Sequence, residues 1–244
     1  MKIKTPVAAR DDLRFSIALY TLAEAGRALD VPASTFATWA KGYIRRPAGR
    51  PPTAGAPVVT AFDAEPGQPT VPFVGLAEGV VLAAVRRLGV PLQRVRPALE
   101  ALSKEIGLEH ALASRRLCTD GAEILFDYAQ HAGGDKATAA GGLVVVRSGQ
   151  RVFRPLIEQY LQRIEYGEDG YASIVRLPAY EHAEVLADPS RSFGQPIFGR
   201  GGARVSDVLD RFWAGDDIRT LTEEFGVPAE QIEDVLRAAS RRAA

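Results

Sequence analysis

The chain has 244 residues, with 30 Lys and Arg against 30 Asp and Glu, so it can form one large domain or two to three small ones and carries no global charge that would draw it to nucleic acid. A single cysteine, Cys118, excludes a disulfide framework within the chain and suits a reducing compartment. The first ten residues lack the apolar core of a signal peptide and no stretch has the length of a membrane span, so a soluble cytoplasmic protein is expected.

Three short clusters punctuate the chain: Leu29-Asp30-Val31-Pro32, Leu88-Gly89-Val90-Pro91 and Phe225-Gly226-Val227-Pro228, each between two amphipathic helical patterns. A helix ending in an apolar residue needs a left-handed residue just beyond it, which Gly supplies freely and Asp tolerates. Pro then opens a new helix without losing a needed backbone donor. Helix-turn-helix joints are predicted at all three places, and DNA binding is the first function they suggest. Charge is segregated around them: residues 1–55 carry nine Lys and Arg against four Asp and Glu, whereas residues 204–239 carry four against nine. The two ends are not expected to share a task, because phosphate contacts need cations.

In chain order, Thr21-Leu22-Ala23-Glu24 is a capping box that starts a helix at Leu22, with Leu22, Ala25 and Leu29 on one face. After the Asp30 turn, residues 33–41 place Phe36 and Trp39 or Ala40 inward and Ser34, Thr35, Thr38 and Lys41 outward. Small, polar or cationic outward residues are what a major-groove helix requires. Arg45, Arg46 and Arg50 follow in a Pro- and Gly-rich stretch that ends at Pro57, and Pro57–Phe62 is a short strand candidate; together these suggest a basic wing. The candidate DNA contacts are therefore Ser34, Thr35, Thr38, Lys41, Arg45, Arg46 and Arg50. The competing reading is a helical hairpin whose polar face is merely solvated.

Leu76, Val80, Val81, Ala84, Val85 and Leu88 form one helical stripe, and Leu92, Val95, Leu99, Leu102 and Ile106 form a coiled-coil-like seam, interrupted by Pro97. The seam serves either as internal core or as a dimer surface. Arg86, Arg87, Arg94 and Arg96 bracket this joint and could extend a phosphate-contacting face. From residue 122 to 187 the pattern becomes strand-like, at 123–128, 143–146, 152–157 and 171–177, with turns at Ser148-Gly149 and Gly167–Gly170 and a Gly-rich linker at 133–142. That linker lacks the order of a phosphate-binding loop. The last segment has the cleanest helical pattern: Val205, Val208, Leu209, Phe212 and Trp213, then Ile218, Leu221 and Phe225, then Ile232, Val235 and Leu236. Three short helices around one core are predicted.

Catalytic chemistry finds no pattern. His110, His131 and His182 are far apart, Cys118 has no His or Cys nearby, and Ser114, Ser192 and Ser206 sit in no nucleophile elbow. The expectation is a binding protein without catalytic residues, metal or cofactor.

The run from Ser192 to Val205, with Phe212-Trp213-Ala214-Gly215-Asp216 and Phe225–Ile232, resembles the domain-of-unknown-function 433 family found in antitoxins of the VapB type. It departs where that family often has Gly-Thr-Arg, since this chain has Gly202-Ala203-Arg204, so no role of that Thr hydroxyl carries over. Tyr20–Leu29 with Pro32–Trp39 is similar to the winged helix-turn-helix of MerR-like regulators. The expected fold is α+β, mainly α: a MerR-like winged helix-turn-helix domain over residues 1–128, a strand-rich connecting region over 129–190 and a three-helix antitoxin-like domain over 191–244. The resemblance implies a type II antitoxin that silences a VapC-type PIN-domain ribonuclease and represses its own operon by binding operator DNA. It further implies an arginine near the toxin's acidic site, for which Arg191, Arg200, Arg204, Arg241 and Arg242 are candidates by charge. A homodimer is expected, because two-fold operators need one. A stand-alone MerR-like regulator with a ligand- or protein-binding rear, or a structural adaptor, are the alternatives.

Overall fold

The computed structural model describes residues 12–46, 49, 52–87, 96, 109–116 and 162–243. The second predicted joint, the seam at 92–106, Arg94, the strand runs at 123–128, 143–146 and 152–157, the linker, and Arg50 fall outside the described residues.

A single turn of helix, α1 (Leu13–Ser16), leads into strand β1 (Ala18–Tyr20), then α2 (Leu22–Ala28) and α3 (Ala33–Lys41). A hairpin of β2 (Tyr43–Arg45) and β3 (Thr53–Gly55) follows, then β4 (Val71–Pro72) and the long helix α4 (Phe73–Arg87). β1 pairs antiparallel with β4, and β2 with β3 in the register Tyr43 to Gly55 and Arg45 to Thr53. The predicted strand at Pro57–Phe62 does not form. The amides of Val58 and Val59 both donate to the Trp39 carbonyl, at 2.8 and 3.2 Å, which commits this segment to closing the end of α3 instead of a sheet.

The stripe predicted on α4 understates its burial. Every residue from Phe73 to Ala84 is buried, because α1 and β1 lie on one side of the helix and the rear sheet reaches it from another. Glu78, in that buried stretch, is held by Thr60, whose amide donates to Oε2 at 2.6 Å and whose hydroxyl donates to Oε1 at 3.1 Å. His110 Nδ1 lies 2.9 Å from the Thr60 hydroxyl and 3.2 Å from Glu78 Oε1, so this histidine belongs to a structural polar node.

The rear half is a four-stranded antiparallel sheet in chain order, β5 (Ile164–Tyr166), β6 (Ala172–Arg176), β7 (Val185–Ala187) and β8 (Ile197–Phe198). The β5–β6 turn is the predicted Gly167–Gly170, with Gly170 at φ +81°. Three helices complete the chain: α5 (Val205–Trp213), α6 (Ile218–Phe225) and α7 (Ala229–Ala243). Trp213 departs from its predicted inward position and is 62% exposed. At roughly 100° per residue it lies at the edge of the Val205–Phe212 stripe, on the last residue of the helix, where its ring meets that of Phe212 edge-on at 5.1 Å and its remaining surface faces solvent. Asp234 of α7 is buried, and its Oδ2 accepts the amides of Glu181, His182 and Ala183 at 3.0, 2.9 and 3.0 Å, fastening α7 to the loop before β7.

Front and rear are joined at several points. Buried apolar residues form one continuous cluster from Tyr20 to Ala238. Arg14 is ion-paired with Asp12 and with Asp169 of the β5–β6 turn, and Phe15 packs edge-on against Tyr171 at 5.3 Å. The buried Tyr20 hydroxyl donates to the Gly194 carbonyl at 2.7 Å.

Candidate nucleic-acid interface

The front joint is built by local chemistry. The Glu24 amide donates to Thr21 Oγ1 at 3.1 Å and the Thr21 amide donates to Glu24 Oε2 at 2.8 Å, which is the reciprocal capping box. Replacing Thr21 with Ala removes one half of it and is expected to cost about 1 kcal/mol, to be checked by urea unfolding. The helix ends with the Val31 amide on the Gly26 carbonyl at 2.9 Å and the Asp30 amide on the Arg27 carbonyl at 3.2 Å. This is the paired closure of a Schellman turn, and it needs a left-handed residue: Asp30 adopts φ +55°. Gly26 lets the joint close, since a Cβ there would lie 2.9 Å from the Val31 carbonyl oxygen and 3.3 Å from Ala33 Cα.

Pro32 precedes α3, and Phe36, Trp39 and Ala40 are its buried residues. Gly79 of α4 sits directly behind; a Cβ there would lie 2.5 Å from Leu29 Cδ1 and 2.9 Å from Phe36 Cε2. The opposite face of α3 points to solvent. Ser34 and Lys41 are exposed, while Thr35 and Thr38 are half-buried. The Thr38 hydroxyl donates to the Ser34 carbonyl at 2.9 Å, so along the helix it offers its lone pairs outward.

Gly42 turns the chain out of α3 at φ +70°, where a side chain would strike the Gly55 carbonyl. The hairpin that follows carries Arg45 within β2 and the exposed Arg46 just beyond it. Among the arginines bracketing the second joint, one is buried away from solvent and another, still exposed, is engaged in an ion pair. Arg96 is buried, with its guanidinium 5.4 Å from the Tyr43 ring centre at the base of the hairpin. Arg87 pairs with Asp30 at 2.8 Å across the outside of the turn. The structure therefore brings Ser34, Thr35, Thr38, Lys41, Arg45 and Arg46 to one helix and the hairpin attached to it.

The rear arginines do not form one group. Arg204 is ion-paired with Asp207 at 2.9 Å, Arg241 is exposed near the end of α7, and Arg242 is within that helix. Arg191 and Arg200 are exposed on successive turns, and a side chain at Gly202 would meet Arg191 Nη2 at 2.6 Å. Among the described residues no cluster of His, Cys, Asp and Glu could hold a metal ion, and no helix is long and apolar enough to cross a membrane.

A capped helix-turn-helix with a basic hairpin defines the front as a DNA-binding head, and residues 18–99 match the family described as a putative DNA-binding HTH domain. The chain belongs to the family of the putative antitoxin VapB45 of Mycobacterium tuberculosis, with which it shares 49% identity over 230 residues, covering 93% of this chain and 96% of that one. It is also 30% identical over 228 residues to the uncharacterized protein Rv2308 of the same organism, covering 89% of this chain and 88% of that one. The crystal structure of Rv2018 from Mycobacterium tuberculosis superposes with a TM-score of 0.76 at 46% identity, covering 92% of this chain and all of that one.

Proposed function

We propose that the chain is a non-catalytic antitoxin of a type II pair, which binds and neutralises a VapC-type PIN-domain ribonuclease and represses its own operon. The observation that carries the DNA half is the solvent-facing side of α3 leading straight into the basic hairpin, on a joint held by reciprocal hydrogen bonds. Kinship with a protein named as a putative antitoxin supports the toxin half. In this reading α3 enters the major groove, with Ser34, Thr35 and Thr38 toward base edges, while Lys41, Arg45 and Arg46 meet phosphates in the manner of a MerR-like winged head. The acidic rear, with its likeness to the domain-of-unknown-function 433 family, faces the toxin, and two copies bind a two-fold operator in the cytoplasm.

Co-expression with the product of the adjacent reading frame tests the reading. Co-purification, together with growth that depends on this chain, is the expected result. Failure of both, with operator binding retained, would leave a stand-alone regulator. For the head itself, Lys41→Ala combined with Arg46→Ala is expected to weaken binding to every sequence alike. The slope of log affinity against log salt should become shallower by about 0.9 for each phosphate that the variant no longer neutralises, measured by anisotropy titrations across salt. An unchanged slope would remove both cations from the interface. Thr38→Ala should instead alter the preference among sequences.

A further inference from the structure

The tip between β7 and β8 has properties that the DNA-binding head does not explain. Phe193 is 77% exposed, the highest value among the large hydrophobic residues described. Its backbone is left-handed, at φ +52° and ψ +40°, between Ser192 at φ +47° and Gly194 at φ +73°. Such a conformation is unfavourable for any residue with a Cβ and most unfavourable for bulky ones, so a sequence selected only to turn here would carry Gly or Asn. The strain is held in place from several sides. The Asp188 carbonyl accepts the amides of Arg191 and Gly194 at 3.0 and 3.1 Å, and the Asp188 carboxylate accepts the Ser190 amide and hydroxyl at 2.9 and 2.6 Å. From below, the buried Tyr20 hydroxyl grips the Gly194 carbonyl.

An aromatic side chain forced outward on a rigid, strained loop is a pre-organised anchor, because little conformational freedom is left to lose when it is covered. The charge around it specifies the cover. Arg191 stands exposed at this tip with its guanidinium reaching Gly202, and Arg200 is exposed on the turn that contains Gly202, in the half of the chain whose helices are otherwise acidic. Within the rear half, a carboxylate-bearing partner is repelled by those helices and attracted to this pair of cations.

We infer that the Ser192–Gly194 tip is the point where the partner protein docks, with Phe193 entering an apolar socket edged by carboxylates that pair with Arg191 and Arg200. The inference rests on the antitoxin reading and assigns the contact to a part of the surface. A second copy of this chain is the competing occupant.

The test uses the full chain and, as probe, the purified product of the adjacent reading frame in calorimetric titration. Phe193→Gly removes the ring and relieves the backbone, so the melting temperature should equal or exceed that of the wild type, while affinity for the probe falls by at least about tenfold. Arg191→Glu with Arg200→Glu should weaken binding further and more so at low salt. Trp213→Ser, which removes another exposed aromatic outside the tip, should bind as the wild type does. Wild-type affinity in Phe193→Gly overturns the docking assignment alone. An absence of binding by the wild type overturns the antitoxin reading and the docking assignment with it. A dimeric wild type that Phe193→Gly renders monomeric, with probe binding intact, overturns the assignment in favour of self-association.

Discussion

Phe36→Ala will destabilise the chain by about 3–5 kcal/mol and, with it, the DNA-binding head. The Phe36 ring is fully buried and fills the space between the two helices of the joint and α4. Its edge faces Gly79, where the absence of a side chain is what admits it, and its ring centre lies 5.9 Å from that of Trp39. Truncation leaves a cavity that backbone already in van der Waals contact cannot collapse into. In a domain of this size the melting temperature should drop by about 10 °C or more. DNA affinity should fall even at temperatures where the far-ultraviolet circular dichroism of the variant is still native, because α3 loses its seat. Enlarging Gly79 to Val is expected to be destabilising alone, by about 1–3 kcal/mol, and less so in the Phe36→Ala background, where part of the space has been vacated. Equal penalties in both backgrounds would mean that the two residues do not share the space described.

Asp234→Ala is expected to cost about 3 kcal/mol at neutral pH, because three amides lose a charged acceptor at once. The cost should depend on pH. Burial by itself would raise the Asp234 carboxyl above its ordinary value, but the amides of Ala183, His182 and Glu181 outweigh it and hold the carboxyl lower. A carboxyl lowered in the folded state contributes stability that is present above its unfolded value near 3.8 and disappears as pH falls through the folded value. The difference in unfolding free energy between wild type and Asp234→Ala should therefore be constant from pH 7 down to about 5 and shrink below that. Asp12, lowered chiefly by its hydrogen bonds from Arg14, and Asp169, lowered against its burial by Arg14 and the Tyr171 amide, act in the same direction and remain in the variant. Acid should thus still destabilise Asp234→Ala, only less steeply. A difference that stays flat to pH 3 would show that the charge on Asp234 contributes nothing.

The features legible in the sequence are local in origin. The capping box at Thr21 and Glu24 and the left-handed Asp30 are decided by residues within six positions of one another, and all appear as expected. The inward Phe36 follows from helical period alone. The hairpin strand at Thr53–Gly55 is not legible, because its residues have no alternating apolar pattern; it exists through the Gly42 turn and pairing with Tyr43–Arg45. The full burial of α4 is hidden for a different reason: a helix with neighbours on several sides needs no polar face, and those neighbours come from remote parts of the chain. Arg204, a candidate by charge, is occupied by Asp207 one helical turn away, a pairing that spacing could have suggested. Phe193 lies in the run that carries the family resemblance, but nothing in that run foretells its exposure or its left-handed backbone, which contradict what a bulky aromatic prefers. Local preference and fold disagree most sharply there, which is where a functional demand is expected to appear.

The bond from Tyr20 to the Gly194 carbonyl spans 174 positions of sequence. During synthesis at roughly 5–20 residues per second, Tyr20 leaves the ribosome about 10–35 s before its partner does. For that interval the strand that leads into α2 lacks the tip that later holds it, so the front half emerges without one of its buried ties. A truncated product that stops short of the rear sheet is accordingly expected to leave Tyr20 exposed, and such fragments should be cleaved by proteases at the front of the chain as well as at the broken end.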